Sequence, residues 1–278
     1  MREVLVVASR TLGGEKLLDA VRARAAQGDV SFRLVVPQST PSAGLVIYDE
    51  AVRESAQVRV DLATSVLAEE GISLTGEVGD PDPFSATMDA VAERRPDEII
   101  VSTHPALSSG WLRRDLIERI RNASGLPVEH VVVDLEHEGL PFHVTLVLAS
   151  RTLSGEELFA TLERKAAETG RHLFIVVVPQ QHGGGSAAGE ARARLAATLA
   201  RMHDAGMLAS GMIGDPDPYT ACVNALELFT VDDVLISTLP NERSGWMRAN
   251  LIGRVRSATA APVEHVEVAL TATPTPAA

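Results

Sequence analysis

With one cysteine in 278 residues, Cys222, the chain cannot form an internal disulfide, and nothing in it asks for an oxidising compartment. Aromatic residues amount to only 4%, against 45% hydrophobic residues in all. A core must therefore come from Val, Leu, Ile and Ala, which suits buried parallel strands covered by helices. Basic residues are also in deficit, 25 against 37 acidic, for a net charge of −12. That balance argues against a nucleic-acid partner, because phosphate-backbone affinity comes from clustered Lys and Arg, and against an anionic membrane surface. No apolar run approaches the ~18 residues of a membrane-spanning helix. The opening Val4-Leu5-Val6-Val7 lacks a basic flank and a long apolar stretch, so no signal peptide is read and the expected address is the cytoplasm. Common catalytic motifs are missing as well: G-x-G-x-x-G, G-x-S-x-G, Walker A, H-E-x-x-H and C-x-x-C. Their absence argues against the usual dehydrogenases, hydrolases and kinases, so a non-enzymatic role is expected.

What the chain does have is itself, twice. Ala8-Ser9-Arg10-Thr11-Leu12 returns as Ala149-Ser150-Arg151-Thr152-Leu153, and Gly79-Asp80-Pro81-Asp82-Pro83 as Gly214-Asp215-Pro216-Asp217-Pro218. Ser109-Gly110-Trp111 returns as Ser244-Gly245-Trp246, and Pro127-Val128-Glu129-His130 as Pro262-Val263-Glu264-His265. The spacing between copies is 141 residues at the first motif and 135 at the second, so a length difference of six must fall in a loop. Solenoid repeats run to only ~20–50 residues, so this period means a duplicated globular domain. The expected domains are 1–137 and 142–270, with 271–278, small and Pro-rich, a disordered tail. The short linker favours packed halves, an intramolecular pseudo-dimer; whether two chains pair further is left open.

In the first half, short β-branched runs at 4–8, 32–36, 72–78, 98–102 and 128–133 alternate with longer helical patterns. The second half repeats them at 144–149, 173–178, 209–213, 233–237 and 263–268. This alternation predicts α/β architecture: two tandem five-stranded parallel sheets with right-handed crossovers. Asp82 before Pro83 reads as an N-cap followed by proline at the first helical position, and Gly125 as a helix stop. Gly183-Gly184-Gly185 lacks the flanking Lys-Ser/Thr of a phosphate loop and reads as a mobile loop. Cys222 aligns with Thr87 and reads as a buried small residue, not a reactive thiol.

Parallel sheets of this kind bind ligands beyond the carboxyl ends of their strands, where strand order reverses. That points to the loops after strands one and four. They carry Ser9, Arg10 and Thr11 with Ser102 and Thr103, followed by Ser109 and Gly110 where the last helix should begin. The matching set is Ser150, Arg151, Thr152, Ser237, Thr238, Ser244 and Gly245. Hydroxyls, an arginine and free N–H groups at a helix start make an anion pocket; the same Ser and Thr also serve as caps, and both readings stand. Asp80 and Asp82 have loop and cap duties that explain them better than a metal does. Glu129-His130 and Glu264-His265 fall in the last strands, where alternation sends neighbouring side chains to opposite faces. No metal site is assigned.

The strand–helix layout, the Gly-Asp-Pro before the third helix, and Leu116-Ile117-Glu118-Arg119-Ile120 leading to Pro127-Val128 resemble the universal stress protein family, in tandem form. The resemblance implies a Rossmann-like domain of the adenine-nucleotide α-hydrolase-like type, association through last strands, and ATP or another adenine nucleotide as the possible cofactor. It also implies that the backbone at Val35 and Val177 would meet adenine. The chain departs from the ATP-binding pattern in both halves. Ser9-Arg10 and Ser150-Arg151 stand where an Asp is expected, and Arg114-Asp115 and Ala249-Asn250 align with the closing Gly-Ser. Ser102-Thr103 replaces the first glycine region. Bulky side chains there would keep phosphates from backbone N–H groups. Three readings follow: a regulatory or stress-protective module with a degenerate or altered pocket, a binder of ATP or another small anion at the loops after strands one and four, and a slow ATPase.

Overall fold

The computed structural model describes residues 2–39, 49–105, 116–180, 185–248 and 250–269. Among them the chain divides into two units, one running to Phe142 and the other from His143. The first unit contains β1 (Arg2–Val7), α1 (Glu15–Ala25), β2 (Val30–Pro37), α2 (Asp49–Glu69), β3 (Leu74–Gly79), α3 (Pro83–Glu93), β4 (Glu98–Thr103), α4 (Leu116–Ser124), β5 (Val128–Val132) and α5 (Leu135–Glu138). Its sheet is ordered β3-β2-β1-β4-β5, and every pairing is parallel. The second contains β6 (His143–Leu148), α6 (Glu156–Thr169), β7 (His172–Pro179), α7 (Gly185–Asp204), β8 (Leu208–Gly214), α8 (Pro218–Leu228), β9 (Asp233–Thr238), α9 (Gly245–Arg248), α10 (Leu251–Ala258) and β10 (Val263–Glu267). Its order β10-β9-β6-β7-β8 is the same arrangement read from the opposite edge, again all parallel. Both are Rossmann-like α/β units, and every strand end lies within two residues of its sequence expectation. Periodicity does not reveal α5, a single turn in the linker capped by Asp134. The proposed tail, 271–278, lies outside the described residues, as do Gly183 and Gly184; Gly185 opens α7.

Aliphatic strands make a core on each face, as the shortage of aromatics requires. In the first unit Leu5, Val7, Val35, Ile99 and Val101 pack against Ala86 and Ala90 of α3 and Leu116 and Ile120 of α4. On the corresponding opposite face of the second unit, Val147, Phe174, Val176 and Leu235 pack against Leu158 and Leu162 of α6 and Leu195 and Met202 of α7. The repeated Gly-Asp-Pro-Asp-Pro joins strand three to helix three. A Cβ on Gly79 would stand 2.7 Å from Val35 Cγ1 and 2.8 Å from Ala86 Cβ, and one on Gly214 would be 2.9 Å from Val177 Cγ1 and 2.8 Å from Ala221 Cβ. Asp82 then accepts from the Ser85 N–H and Asp217 from the Thr220 N–H, each at 3.0 Å, so both act as the expected N-caps. The Ser85 N–H, more than any other group, holds the Asp82 carboxyl below its ordinary range. Cys222 is fully buried, and burial pushes its thiol up to about 12.

The length difference between the copies has a definite place. Gly79 follows Pro37 by 42 residues, whereas Gly214 follows Pro179 by 35, so the second unit is shorter by seven between its second and third strands. It recovers one residue between its first two strands, because β1 pairs Arg2 with Val30 while β6 pairs His143 with His172.

Each sheet is clamped at its amino end by a cation from its first helix. Arg24 bonds Glu98 at 3.2 Å and also Glu129; Lys165 reaches Asp233 at 3.2 Å and Glu264 at 3.0 Å. Arg2 completes the first clamp by pairing with Glu98 at 2.8 Å. In the second, His143 takes that place, with Nε2 2.7 Å from Asp233 Oδ2. Beside it lies His172, buried and stacked on Phe174 at 4.2 Å. Its Nε2 is 2.7 Å from the Thr145 hydroxyl and its Nδ1 2.7 Å from the Thr169 hydroxyl. Nδ1 also lies 3.1 Å from the Lys165 carbonyl, which can only accept a hydrogen bond.

A different buried cation marks the first unit alone. Arg33, in mid-β2, donates to the carbonyls of Ala90 at 2.6 Å and Arg94 at 2.5 Å and lies 3.3 Å from Glu3 and 3.4 Å from Glu93. Its counterpart by register is Ile175, and the positions that match Glu3, Glu93 and Arg94 are Val144, Leu228 and Phe229, all buried.

Burial, reinforced by the charge of His143, holds His172 below its ordinary value despite the Lys165 carbonyl. A histidine whose folded-state value is depressed contributes stability above its unfolded value of about 6.5, and that contribution disappears as pH falls through the folded value. The second unit is therefore expected to lose stability as pH drops from about 7.5 to about 5.5. Urea midpoints at the two pH values check this; a difference that persists undiminished in His172→Gln would assign the effect to other groups.

Candidate functional site

Strand order reverses between β1 and β4 and again between β6 and β9, so the expected switch points are where the sheets place them. In the first unit the loop after β1 is built inward. Ser9, 2% exposed, donates to the Pro37 carbonyl at 3.0 Å and pairs with Ser39 Oγ at 2.6 Å. Thr11 Oγ1 accepts from the Ser102 hydroxyl at 2.8 Å. Thr103, next on β4, pairs its hydroxyl with His130 Nε2 at 2.8 Å. The loop after β1, the end of β4 and β5 are thus joined by two hydroxyl contacts.

The second unit repeats one link and alters the other. Thr238 pairs with His265 Nε2 at 2.9 Å and donates to the Leu239 carbonyl at 3.0 Å. Thr152, instead of accepting from the serine hydroxyl, donates to the Ser237 carbonyl at 3.3 Å. Ser237 Oγ, on a residue 1% exposed, is left without a hydrogen-bond partner among the described residues. Burial is the first cause that holds both His130 and His265 below the ordinary histidine value. Sequence patterning places these histidines on a face but does not pair them with strand-four threonines, because cross-strand register is invisible in a single strand. The contribution of Ser39 is hidden for the same reason.

Arg10 and Arg151 behave differently from the hydroxyls around them. Both are exposed, and neither has a hydrogen bond or ion pair among the described residues. Arg10 is felt by Arg59, a residue of α2 that is 7% exposed and donates to the Ser55 carbonyl at 3.3 Å. Burial first, and then the charge of Arg10, bring Arg59 down to about 10. A second cation thus lies near enough to feel the loop after β1, and periodicity alone gives no reason to suspect it, an arginine on a long helix of mixed polar and apolar residues.

Val35 and Val177 are core positions, 1% and 0% exposed, whose carbonyls accept the N–H groups of Ala8 and Ala149 at 3.2 Å. Gly245 is the first residue of α9. Ser109, Gly110 and Ser244 lie outside the described residues. Glu129 and Glu264 turn to the Arg24 and Lys165 clamps while their neighbours His130 and His265 turn to threonines, the division between faces expected from strand alternation. Asp80 and Asp215 accept the N–H groups of Asp82 and Asp217 at 2.8 Å, so the acidic pairs shape their own turns.

No helix among the described residues is long and apolar enough to cross a membrane. No protein-family model matches the sequence, and no curated protein matches it. Among solved structures the chain is similar to a universal stress protein from Archaeoglobus fulgidus, with 16% sequence identity and a TM-score of 0.35, over 95% of this chain and 96% of that one.

Proposed function

We propose that the chain is a tandem relative of the universal stress proteins that works as a cytoplasmic, non-enzymatic regulatory or stress-protective module, binding a small anion through an altered pocket in each unit. The observation that carries this reading is the repeated placement of an exposed arginine, Arg10 or Arg151, unpaired among the described residues, beside buried Ser and Thr hydroxyls at a topological switch point. An arginine fork suits a phosphate or carboxylate, and hydroxyls supply further donors. The Thr–His pairs do not favour hydrolysis, because Thr103 and Thr238 are each 2% exposed and so shielded from a substrate. Side chains in place of the Asp and glycines of the ATP-binding pattern support an altered ligand preference.

Calorimetric titration with inorganic phosphate, pyrophosphate and ATP tests the proposal. The double variant Arg10→Ala/Arg151→Ala is expected to weaken anion binding by about tenfold, the scale of one charge-assisted contact. Unchanged affinity would remove the two arginines from the site. Tight, Mg²⁺-dependent ATP binding would overturn the altered pocket.

A further inference from the structure

The duplicated units satisfy their buried donors unequally. Arg59 in α2 and Arg194 in α7 are counterparts: the residue after each, Val60 or Leu195, packs on the matching glycine of strand three, Gly76 or Gly211. Each also meets the residue four positions earlier, Ser55 at 3.3 Å from Arg59 Nη1 and Glu190 at 3.7 Å from Arg194 Nη1. The resemblance ends at the other edge of the guanidinium. The Arg194 side chain is 30% exposed as a whole, but its Nε and Nη2 atoms are both buried and have no hydrogen-bond partner among the described residues. These two N–H groups lie on one side of the planar fork and point the same way, the edge that grips two oxygens of one carboxylate or phosphate. Buried donors left unpaired are rare and costly, so two on one edge point to a missing acceptor. Arg33 also has a buried Nε without a hydrogen bond, but Glu3 lies 3.3 Å from it and supplies the charge.

The second observation is Ser237, near the carboxyl end of β9, whose hydroxyl is also buried without a hydrogen-bond partner among the described residues. It is two residues beyond Leu235, which packs with α6 and α7, so strand alternation turns Ser237 to the helix face that carries Arg194. Helical side chains lean toward their helix N-terminus, which in a parallel α/β unit is the carboxyl end of the sheet. The first unit shows how far such an arginine reaches, since the charge of Arg10 is felt at Arg59. There the matching serine is already used: Ser102 donates to Thr11.

We propose that the second unit is the one specialised for ligand, seating a small oxyanion on the Nε and Nη2 edge of Arg194, with the Ser237 hydroxyl as a second donor beside the loop after β6. This rests on the anion-binding reading above and adds both a residue and a division of labour between the halves. The oxyanion can be a free phosphate or a carboxylate of a small metabolite, because both present paired oxygens to the fork.

Titration of the full chain with inorganic phosphate in one arm and acetate in the other, read by calorimetry and by the thermal shift each ion produces, distinguishes the sources. Arg194→Lys keeps the charge and loses the two-pronged edge, so it is expected to weaken binding of the preferred ion by about tenfold or more, with Ser237→Ala costing a few-fold. Circular dichroism of the variants without ligand confirms that they remain folded. Wild-type affinity in folded Arg194→Lys overturns the proposal; if Arg151→Ala then abolishes binding, the broader anion reading survives. A wild-type chain that responds to neither ion leaves the buried edge to water only and sinks both readings.

Discussion

Lys165→Met is expected to destabilise the second unit by about 3–5 kcal/mol, the usual result of stripping the partner from a buried charge. The Lys165 side chain is only 10% exposed, and that of Asp233 only 13%. Burial alone would raise the Asp233 carboxyl; hydrogen bonds from His143 and Thr145, with the Lys165 charge, outweigh it and hold the group below its ordinary range. Among the described residues Asp233 Oδ1 already has no hydrogen-bond partner, so there is no spare contact to absorb the loss. Methionine keeps much of the apolar stem, which isolates charge from packing. The check is the urea midpoint of the second unit, with Lys165→Met/Asp233→Leu as companion. Removing both charges should recover much of the loss. A single-variant loss under about 1 kcal/mol would mean that His143 neutralises Asp233 unaided.

Gly155→Ala carries the second large effect, about 1–3 kcal/mol from overpacking. A Cβ there would stand 2.0 Å from Val268 Cγ1, and Val268 is fully buried and β-branched, with little room to turn away. Gly14 repeats the contact at 2.2 Å from Val133 Cγ1. Neither glycine has a left-handed backbone; φ is −77° at Gly155 and −66° at Gly14. The usual gain from replacing glycine in an ordinary conformation, about 0.4–1 kcal/mol, is therefore available and is outweighed by the clash. Gly155→Ala/Val268→Ala relieves the overlap and should restore part of the stability. Because the Gly155 N–H donates to the Thr152 carbonyl at 3.0 Å, the clash also displaces the loop that bears Arg151. Anion affinity should fall with stability in the single variant and recover in the double.

Much of the fold was legible because its signals are local or periodic. The β-branched runs mark the strands to within two residues, and Asp82-Pro83 and Asp217-Pro218 mark helix starts that the structure caps as expected. The switch point also followed, since an alternating β/α pattern restricts the strand orders available. The parts that escaped depend on register between distant segments. Nothing in Glu98 or Asp233 announces a clamp with Arg24 or Lys165, because the partners meet only after the first and fourth strands lie side by side. Within the candidate site, Ser9, Thr11, Ser102 and Thr103 and their counterparts were legible from topology. Arg59 and Arg194 were not, since arginine in a long helix ordinarily reads as its wet side.

Arg33 bears on a hazard peculiar to a chain that encodes one sheet twice. Two β-α units with the same strand order can exchange strands while folding, a typical failure of repeated domains. Moving β2 into the second sheet would bring the Arg33 guanidinium to the positions of Val144, Leu228 and Phe229, where apolar side chains replace the carboxylates of Glu3 and Glu93. Moving β7 into the first would leave Glu3 facing Ile175. The buried cation thus works as an address, making each strand a poor guest in its sibling's sheet and letting one sequence carry two copies of a fold without confusing them.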